Sequence, residues 1–389
     1  MNQKIVVCGA GIIGMSVALA LAYHKQDVFL LAPDKSQTVI EEDIYDPRVY
    51  TISPSSQKFF KKIGIWNSLP IHRINPIERM EIFGDNGGKT NLTAWQASLS
   101  QLAWVIESNQ IEKVLKREIK KYGIPWIKDS FVSYQNGKLG TQTGKEISAE
   151  LFIGADGSKS LLRHYSNINF QHQTCNDISF IANLNGKYKH QNTAFQWFKK
   201  DSILAFLPMP NNKKGPQISM VWSMLKSKAD KLSKMIYSDR INKIENEINL
   251  ISNQVLGPVS ISSKLYNFPL NLGKSDMITK KIALVGDAAH SIHPLAGQGL
   301  NLGLGDSEIL SDIIASRAIH EEAGDENLLK RYYQARKNSV LIMSLGTYAL
   351  RKLFFCNSFS LSWLRNFGMS QIDRDMFIKQ FLINTASRN

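Results

Sequence analysis

The chain has 389 residues, with 47 basic against 33 acidic side chains and a formal net charge of +14. Hydrophobic residues at 43% and charged residues at 21% are the proportions of a globular protein, which excludes disorder and collagen-like repeats for the bulk of the chain. Three scattered cysteines (Cys8, Cys175, Cys356) exclude a disulfide framework and fit a reducing compartment.

The positive excess points to an anionic partner or to a solvated basic surface. Lys113, Lys116, Arg117, Lys120 and Lys121 alternate with Ile111, Val114, Leu115 and Ile119, the outer face of an amphipathic helix. No basic run is interleaved with aromatics for base stacking, so nucleic acid is not an expected partner. Residues 5–22 carry no charge. Gly9, Gly11 and Gly14 make that stretch a strand, tight turn and helix instead of a membrane span.

In chain order, residues 4–8 read as a buried strand, Gly9-Ala10-Gly11-Ile12-Ile13-Gly14 as a turn, residues 15–23 as an apolar helix and residues 28–31 as a second strand. This is the βαβ setting of a dinucleotide fingerprint. Gly9 serves the tight turn, Gly11 the approach of a pyrophosphate and Gly14 close helix–strand packing. The helix N-terminus adds free N–H groups and partial positive charge. The acidic ribose ligand expected after the second strand is replaced by Ala32, with Asp34 two residues on. Either Asp34 reaches the ribose, or backbone and water serve it.

Residues 151–155 form a short strand running into Gly154-Ala155-Asp156-Gly157-Ser158, with Arg163 beyond. Four strands with turn signals between them are expected over residues 179–184, 193–198, 203–208 and 217–224, with a surface turn at 211–216. Phe195, Trp197, Leu204, Phe206, Met220 and Trp222 are candidates for an apolar pocket lining or for sheet core. Residues 282–285 form a further buried strand. It leads into Gly286-Asp287-Ala288-Ala289-His290, then His293, Pro294 and a helix that opens at Gly297-Gln298-Gly299-Leu300-Asn301 and runs to about His320. No histidine, cysteine or carboxylate cluster has metal-ligand spacing, so no metal is expected. Beyond Gly346 the chain is apolar, aromatic and basic, a composition suited to an anionic bilayer surface, to a partner or to closing the domain.

These three motifs in this order resemble the FAD-dependent aromatic hydroxylases, and within them the ubiquinone-biosynthesis hydroxylases. Asp46-Pro47-Arg48-Val49-Tyr50-Thr51, Trp104-Val105-Ile106-Glu107-Ser108, Ala194-Phe195-Gln196-Trp197-Phe198 and His293-Pro294-Leu295-Ala296-Gly297-Gln298-Gly299-Leu300-Asn301 carry the resemblance, which covers residues 4 to about 370. It implies an α/β fold: a Rossmann-like FAD-binding domain (1–70, 98–175 and 275–340), an antiparallel β-sheet substrate domain (71–97 and 176–274) and a helical C-terminus (341–389).

By the same resemblance, Gly9, Gly11 and Gly14 would hold the FAD pyrophosphate and Arg48 the flavin-side part. Asp156 would serve FAD and reductant, and Gly286 and Asp287 the ribityl chain. Pro294, Gly297, Gln298, Gly299, Leu300 and Asn301 would wrap the isoalloxazine ring. His293 and Pro294 are flavin-loop candidates for catalysis, and no base is named. His290 reads as packing beneath the flavin loop. Asn109 stands where the family commonly has arginine. The implied activity is hydroxylation of a polyprenylated phenol or quinol through a flavin hydroperoxide, with NAD(P)H or a protein reductant as electron donor. The expected location is the cytoplasm, peripheral to the membrane or within a quinone-biosynthesis complex. The alternatives are a hydroxylase of a soluble aromatic acid and a non-catalytic scaffold.

Overall fold

The computed structural model describes residues 2–34, 44–85, 87–173, 175–213, 215–293, 297–355 and 359–387. Strands Ile282–Leu284, Glu146–Gly154, Asn2–Cys8, Val28–Leu31 and Trp126–Ile127 lie side by side in that order and run parallel. Ile5, Val6 and Val7 have no solvent exposure, nor have Leu151, Phe152 and Ile153. Unbroken apolar runs are what a parallel sheet covered on both faces requires. Helix Ile12–Tyr23 packs against helix Gln298–Ala315, which packs in turn against the long helix Glu326–Phe354. The helix opened by the third motif ends at Ala315, short of the expected His320.

The second large sheet is mostly antiparallel. Strand Asp177–Asn185 pairs with Gly215–Leu225, then follow Ser202–Asn212, Thr193–Lys199, Arg79–Phe83 and Lys89–Thr93. All four strands expected from the sequence are present and longer than expected; 193–199, 202–212 and 215–225 form a meander, and 177–185 returns to lie beside the last of them. A sheet's side chains alternate between its faces, and this alternation separates the two readings of the apolar residues. Phe195, Trp197, Leu204, Phe206, Met220 and Trp222 share one face, buried with Ala229, Leu232, Ile244 and Ile248 of helices Lys226–Ser233 and Tyr237–Ile251. They are sheet core and do not line a pocket, because the two helices cover that face.

The opposite face carries Asn183, Ala194 and Leu207. It packs on the small sheet formed by Val49–Ile52, Ala103–Glu107 and Ile74–Ile77, through Tyr45, Ile77 and Val105. The edge strand Lys89–Thr93 is covered by helix Phe359–Arg374. Gly88 N donates to Asn366 Oδ1 at 3.0 Å, Thr90 Oγ1 to the Met369 carbonyl at 2.9 Å and Asn91 N to Asp373 Oδ1 at 2.8 Å. The C-terminal segment thus removes an edge that would otherwise be open to another chain.

Candidate active site

The three motifs meet at the C-terminal ends of the parallel strands, where ligands bind in open α/β sheets. Gly9 has φ +113°, and a Cβ there would lie 2.4 Å from the Ala155 carbonyl oxygen. A Cβ on Gly14 would lie 2.0 Å from the Gly9 carbonyl oxygen. Both glycines are therefore demanded by packing. Gly11 differs: a Cβ there would meet nothing within 4 Å. It precedes helix Ile12–Tyr23, whose first turn carries no side-chain cap and no acidic residue. The turn presents open space and free amides, which suits an anionic group.

Asp156 caps the short helix Leu161–Tyr165. It accepts from Ser160 Oγ at 2.6 Å and from the amides of Leu161 and Leu162 at 2.7 and 3.2 Å. Burial pushes its carboxyl upward against these bonds. Arg163 ties this segment to the third motif, donating to the carbonyls of Ala288 at 2.7 Å and Ser158 at 2.8 Å. Asp34 follows the second strand, and its carboxylate pairs with Lys128 at 2.7 Å on the surface. Beside it the Ala32 carbonyl accepts from Trp126 Nε1.

Arg48 and Asp287 are both exposed and near enough for each to act on the other's charge, so they line the same open crevice. Burial raises the Asp287 carboxyl, countered by His290 and Arg48. The Asp287 carboxylate makes no hydrogen bond among the described residues. The Arg48 guanidinium sits 5.5 Å from the centre of the Tyr50 ring. Asn109 N donates to Asp46 Oδ2 at 3.3 Å, while its Oδ1 is buried without a partner.

Beneath the crevice lies a buried polar network. Asp306 Oδ2 accepts from Gly286 N at 2.9 Å and His290 Nε2 at 2.6 Å, and its Oδ1 accepts from Arg336 Nε at 2.7 Å. Arg336 also donates to the Leu302 carbonyl, and Tyr332 to that of Leu284. Burial opposes the Asp306 charge, but His290 and Arg336 outweigh it and hold the carboxyl below its usual range. His290 therefore has an orienting partner that its sequence neighbourhood does not reveal. Gly305 leaves room for Arg336, whose guanidinium would lie about 3 Å from a Cβ.

The flavin-loop candidates divide by role. Gly297, at φ +65°, has no room for a Cβ, which would fall 2.0 Å from Thr51 Oγ1. Asn301 is wholly engaged by backbone. Its Oδ1 accepts from Ser53 N, and its Nδ2 donates to the Thr51 carbonyl, both at 2.9 Å. Leu300 is buried in the main core. Gly299 is nearly open, with a Cβ meeting only Ile292 at 4.0 Å, and Gln298 Oε1 is buried without a partner. Pro294 lies outside the described residues. His293 is buried, with neither ring nitrogen hydrogen-bonded among the described residues, and faces Asp177 Oδ2 at 3.5 Å.

Cys175, Asp177 and His293 place one ligand atom each within 4.8 Å of one another. Arg351 supplies the positive charge there, gripping both Asp177 oxygens at 2.5 and 2.8 Å. Burial and Asp177 push the Cys175 thiol up to about 12, far from a thiolate ligand. A separate surface cleft of about 420 Å³, lined by Trp66, Ile71, Ile74, Pro76 and Trp104 among others, shares no residue with the three motifs.

The crevice fits a dinucleotide: an open turn of amides, a solvent-open carboxylate without a protein hydrogen bond among the described residues, a nearby arginine and a second helix start with an unpartnered amide side chain. The antiparallel face nearest the crevice is mixed in polarity, and Asn183 Oδ1 and Ser219 Oγ are buried there without partners.

Residues 2–341 match the family described as FAD binding domain. A mitochondrial ubiquinone biosynthesis monooxygenase COQ6 from Caenorhabditis elegans is 26% identical, covering 98% of this chain and 95% of that one. The 3-demethoxyubiquinol 3-hydroxylase of Escherichia coli is also 26% identical, with 98% of each chain covered. Among solved structures, p-nitrophenol 4-monooxygenase PnpA from Pseudomonas putida superposes with a TM-score of 0.78 at 16% identity, covering 99% of this chain and 98% of that one. At that identity the likeness is one of fold.

Proposed function

Because the chain belongs to the FAD binding domain family, we propose that it is an FAD-dependent monooxygenase that hydroxylates the aromatic ring of a polyprenylated phenol or quinol in ubiquinone biosynthesis. The observation that carries the cofactor reading is the crevice, with open space at Gly11 and an unbonded carboxylate at Asp287. The substrate class rests on the full-length similarity to two hydroxylases of that kind. When bound, FAD supplies the dioxygen chemistry, with NAD(P)H or a protein as reductant.

The chain's own part is binding and positioning. The amides after Gly9 and at the start of helix 12–23 hold the pyrophosphate. Arg48 steadies the flavin-side half, and the Asp287 carboxylate accepts from ribityl hydroxyls. Amides at the start of helix 298–315 face the ring's pyrimidine edge, where the helix N-terminus favours negative charge. His293 and, next to it in sequence, Pro294 are the candidates for contact with the ring. The antiparallel sheet would cover the crevice, exclude water and hold the phenol in reach of the bound cofactor.

A polyprenylated substrate resides in the bilayer. Among the described residues no helix is long and apolar enough to cross a membrane. Two helices nonetheless expose apolar stripes. Helix 326–354 shows Leu341, Ile342, Leu345 and Leu350, and helix Met376–Ser387 shows Phe377, Ile378, Phe381 and Leu382. With a net charge of +14, these suit peripheral contact with an anionic leaflet at the cytoplasmic side. Vesicles containing phosphatidylglycerol should retain the protein on flotation, and neutral vesicles should retain less. Equal behaviour on both removes the electrostatic part of this reading.

The deciding experiment is mass spectrometry of quinone lipids from cells lacking the gene, with and without its restoration. Loss of ubiquinone with build-up of a prenylated precursor short of one oxygen is the expected result. Unchanged ubiquinone, with no second hydroxylase present, turns the assignment toward a soluble aromatic acid. A purified protein that cannot be loaded with FAD turns it toward a scaffold.

A further inference from the structure

The long helix 326–354 grips the molecule at two places. Near its start, Tyr332 and Arg336 hold the buried floor beneath Gly286 and Asp287. Fifteen residues beyond Arg336, about 22 Å along a helix, Arg351 holds Asp177 with two parallel bonds. Asp177 stands where the chain passes from one body of sheet to the other. Strand Phe170–Gln173, just before it, pairs with Leu272–Ser275, which also pairs with His290–Ser291 beside the flavin motif. Asp177 itself opens the antiparallel sheet, and its carbonyl accepts from Leu270 N. The return crossing at 270–272 is thereby fastened to the same residue.

His293 completes the junction. It lies between strand 290–291 and Gly297, is almost fully buried and faces Asp177 Oδ2 at 3.5 Å. A buried imidazole with no hydrogen bond among the described residues has the bidentate Arg–Asp pair as the charged group it faces, and that placement calls for a purpose. Two-pronged arginine–carboxylate contacts fix orientation as well as charge. Here the fixed carboxylate is the wall against which the histidine rests.

We propose that Asp177, clamped by Arg351, is a positioning residue that seats His293 beside strand 290–291, so that helix 326–354 holds this part of the third motif in register with the substrate sheet. This rests on the FAD reading given above and extends it to residues that bind neither pyrophosphate nor ribityl chain.

The test is titration of FAD into apoprotein, followed by flavin fluorescence, with the absorption spectrum and midpoint potential of the loaded protein as second readouts. Arg351→Ala should weaken FAD about tenfold, the scale of one misplaced charged hydrogen bond, and alter the flavin spectrum and potential. Arg351→Lys keeps the charge, loses the two-pronged grip and should fall between Arg351→Ala and wild type. Lys228→Ala breaks ion pairs to Asp201 and Glu247 on the far side of the antiparallel sheet and should leave FAD affinity at the wild-type value.

If both Arg351 variants match wild type in affinity, spectrum and potential, whatever their melting temperatures, the clamp is refuted. Should Arg351→Ala fail to fold, Arg351→Lys decides by the same criteria. Wild-type protein that takes up no FAD refutes the cofactor reading and this inference together, which a wild-type match by the variants does not.

Discussion

The floor of the crevice and its rim are built from the same residue types to opposite ends. On the floor, Asp306 accepts three hydrogen bonds from Gly286, His290 and Arg336, and Arg336 and Tyr332 spend further donors on helix and strand carbonyls. On the rim, Gln298 Oε1, Asn109 Oδ1 and both His293 nitrogens are buried with no hydrogen bond among the described residues, and the exposed Asp287 carboxylate stands beside them. Protein interiors satisfy nearly all their polar groups, and the exceptions ask for a reason. We infer that the floor is scaffold and that the rim is reserved for a ligand. The two should therefore respond oppositely to substitution.

Arg336→Ala should give the largest effect. It leaves the fully buried Asp306 carboxylate without the Arg336 guanidinium, one of the two groups that offset its burial, and removing one member of a buried pair costs about 3–5 kcal/mol. Chemical denaturation of the apoprotein should show that loss before any cofactor is added. A stable Arg336→Ala apoprotein would mean the floor is not scaffold.

Asp287→Asn should do the reverse. Burial raises the Asp287 carboxyl. The folded state therefore disfavours its charge, a penalty absent at low pH that grows as pH rises from the ordinary carboxyl range through the folded value. The amide removes that penalty, so the apoprotein should melt no lower than wild type at neutral pH. FAD affinity should nevertheless fall about 10–100-fold, the worth of a charged hydrogen bond to the ribityl chain. An apoprotein that melts lower, with FAD affinity unchanged, would place Asp287 among the scaffold residues.

The sequence exposed the rim better than the floor, for a physical reason. Gly9, Gly11, Gly14, Asp156, Gly286, Asp287 and Gly297 belong to short motifs whose geometry is local, and they do converge. Asp306 and Arg336 act at a distance in sequence. Their signal was available: a carboxylate at the centre of a helix otherwise buried at Leu302, Leu304 and Leu310, and an arginine on the same buried face as Tyr332 and Val340. Alternation marked the strands of the second sheet but could not say which face meets the crevice. The large residues Trp197, Phe206 and Trp222 went under the covering helices, and the face turned toward Tyr45 kept smaller and more polar ones. Asn301 was expected at the flavin ring, and its side chain bonds the backbone of residues 51 and 53.

Gly11 sharpens the comparison within a single turn, with the smallest expected change in stability. Its φ is −76°, within the range of any residue, and a Cβ there meets open space. Gly11→Ala should therefore leave the apoprotein as stable as wild type or stabilise it by about 0.4–1 kcal/mol, by restricting the unfolded chain. Gly14→Ala, whose Cβ would fall 2.0 Å from the Gly9 carbonyl oxygen, should destabilise it outright. Yet the space that admits the Gly11 methyl is the space a pyrophosphate needs, so FAD binding should weaken in Gly11→Ala even as the fold holds. Calorimetric titration of FAD beside thermal melts of both apoproteins separates the two demands on one turn. Full FAD affinity in Gly11→Ala would show that no phosphate approaches the backbone there.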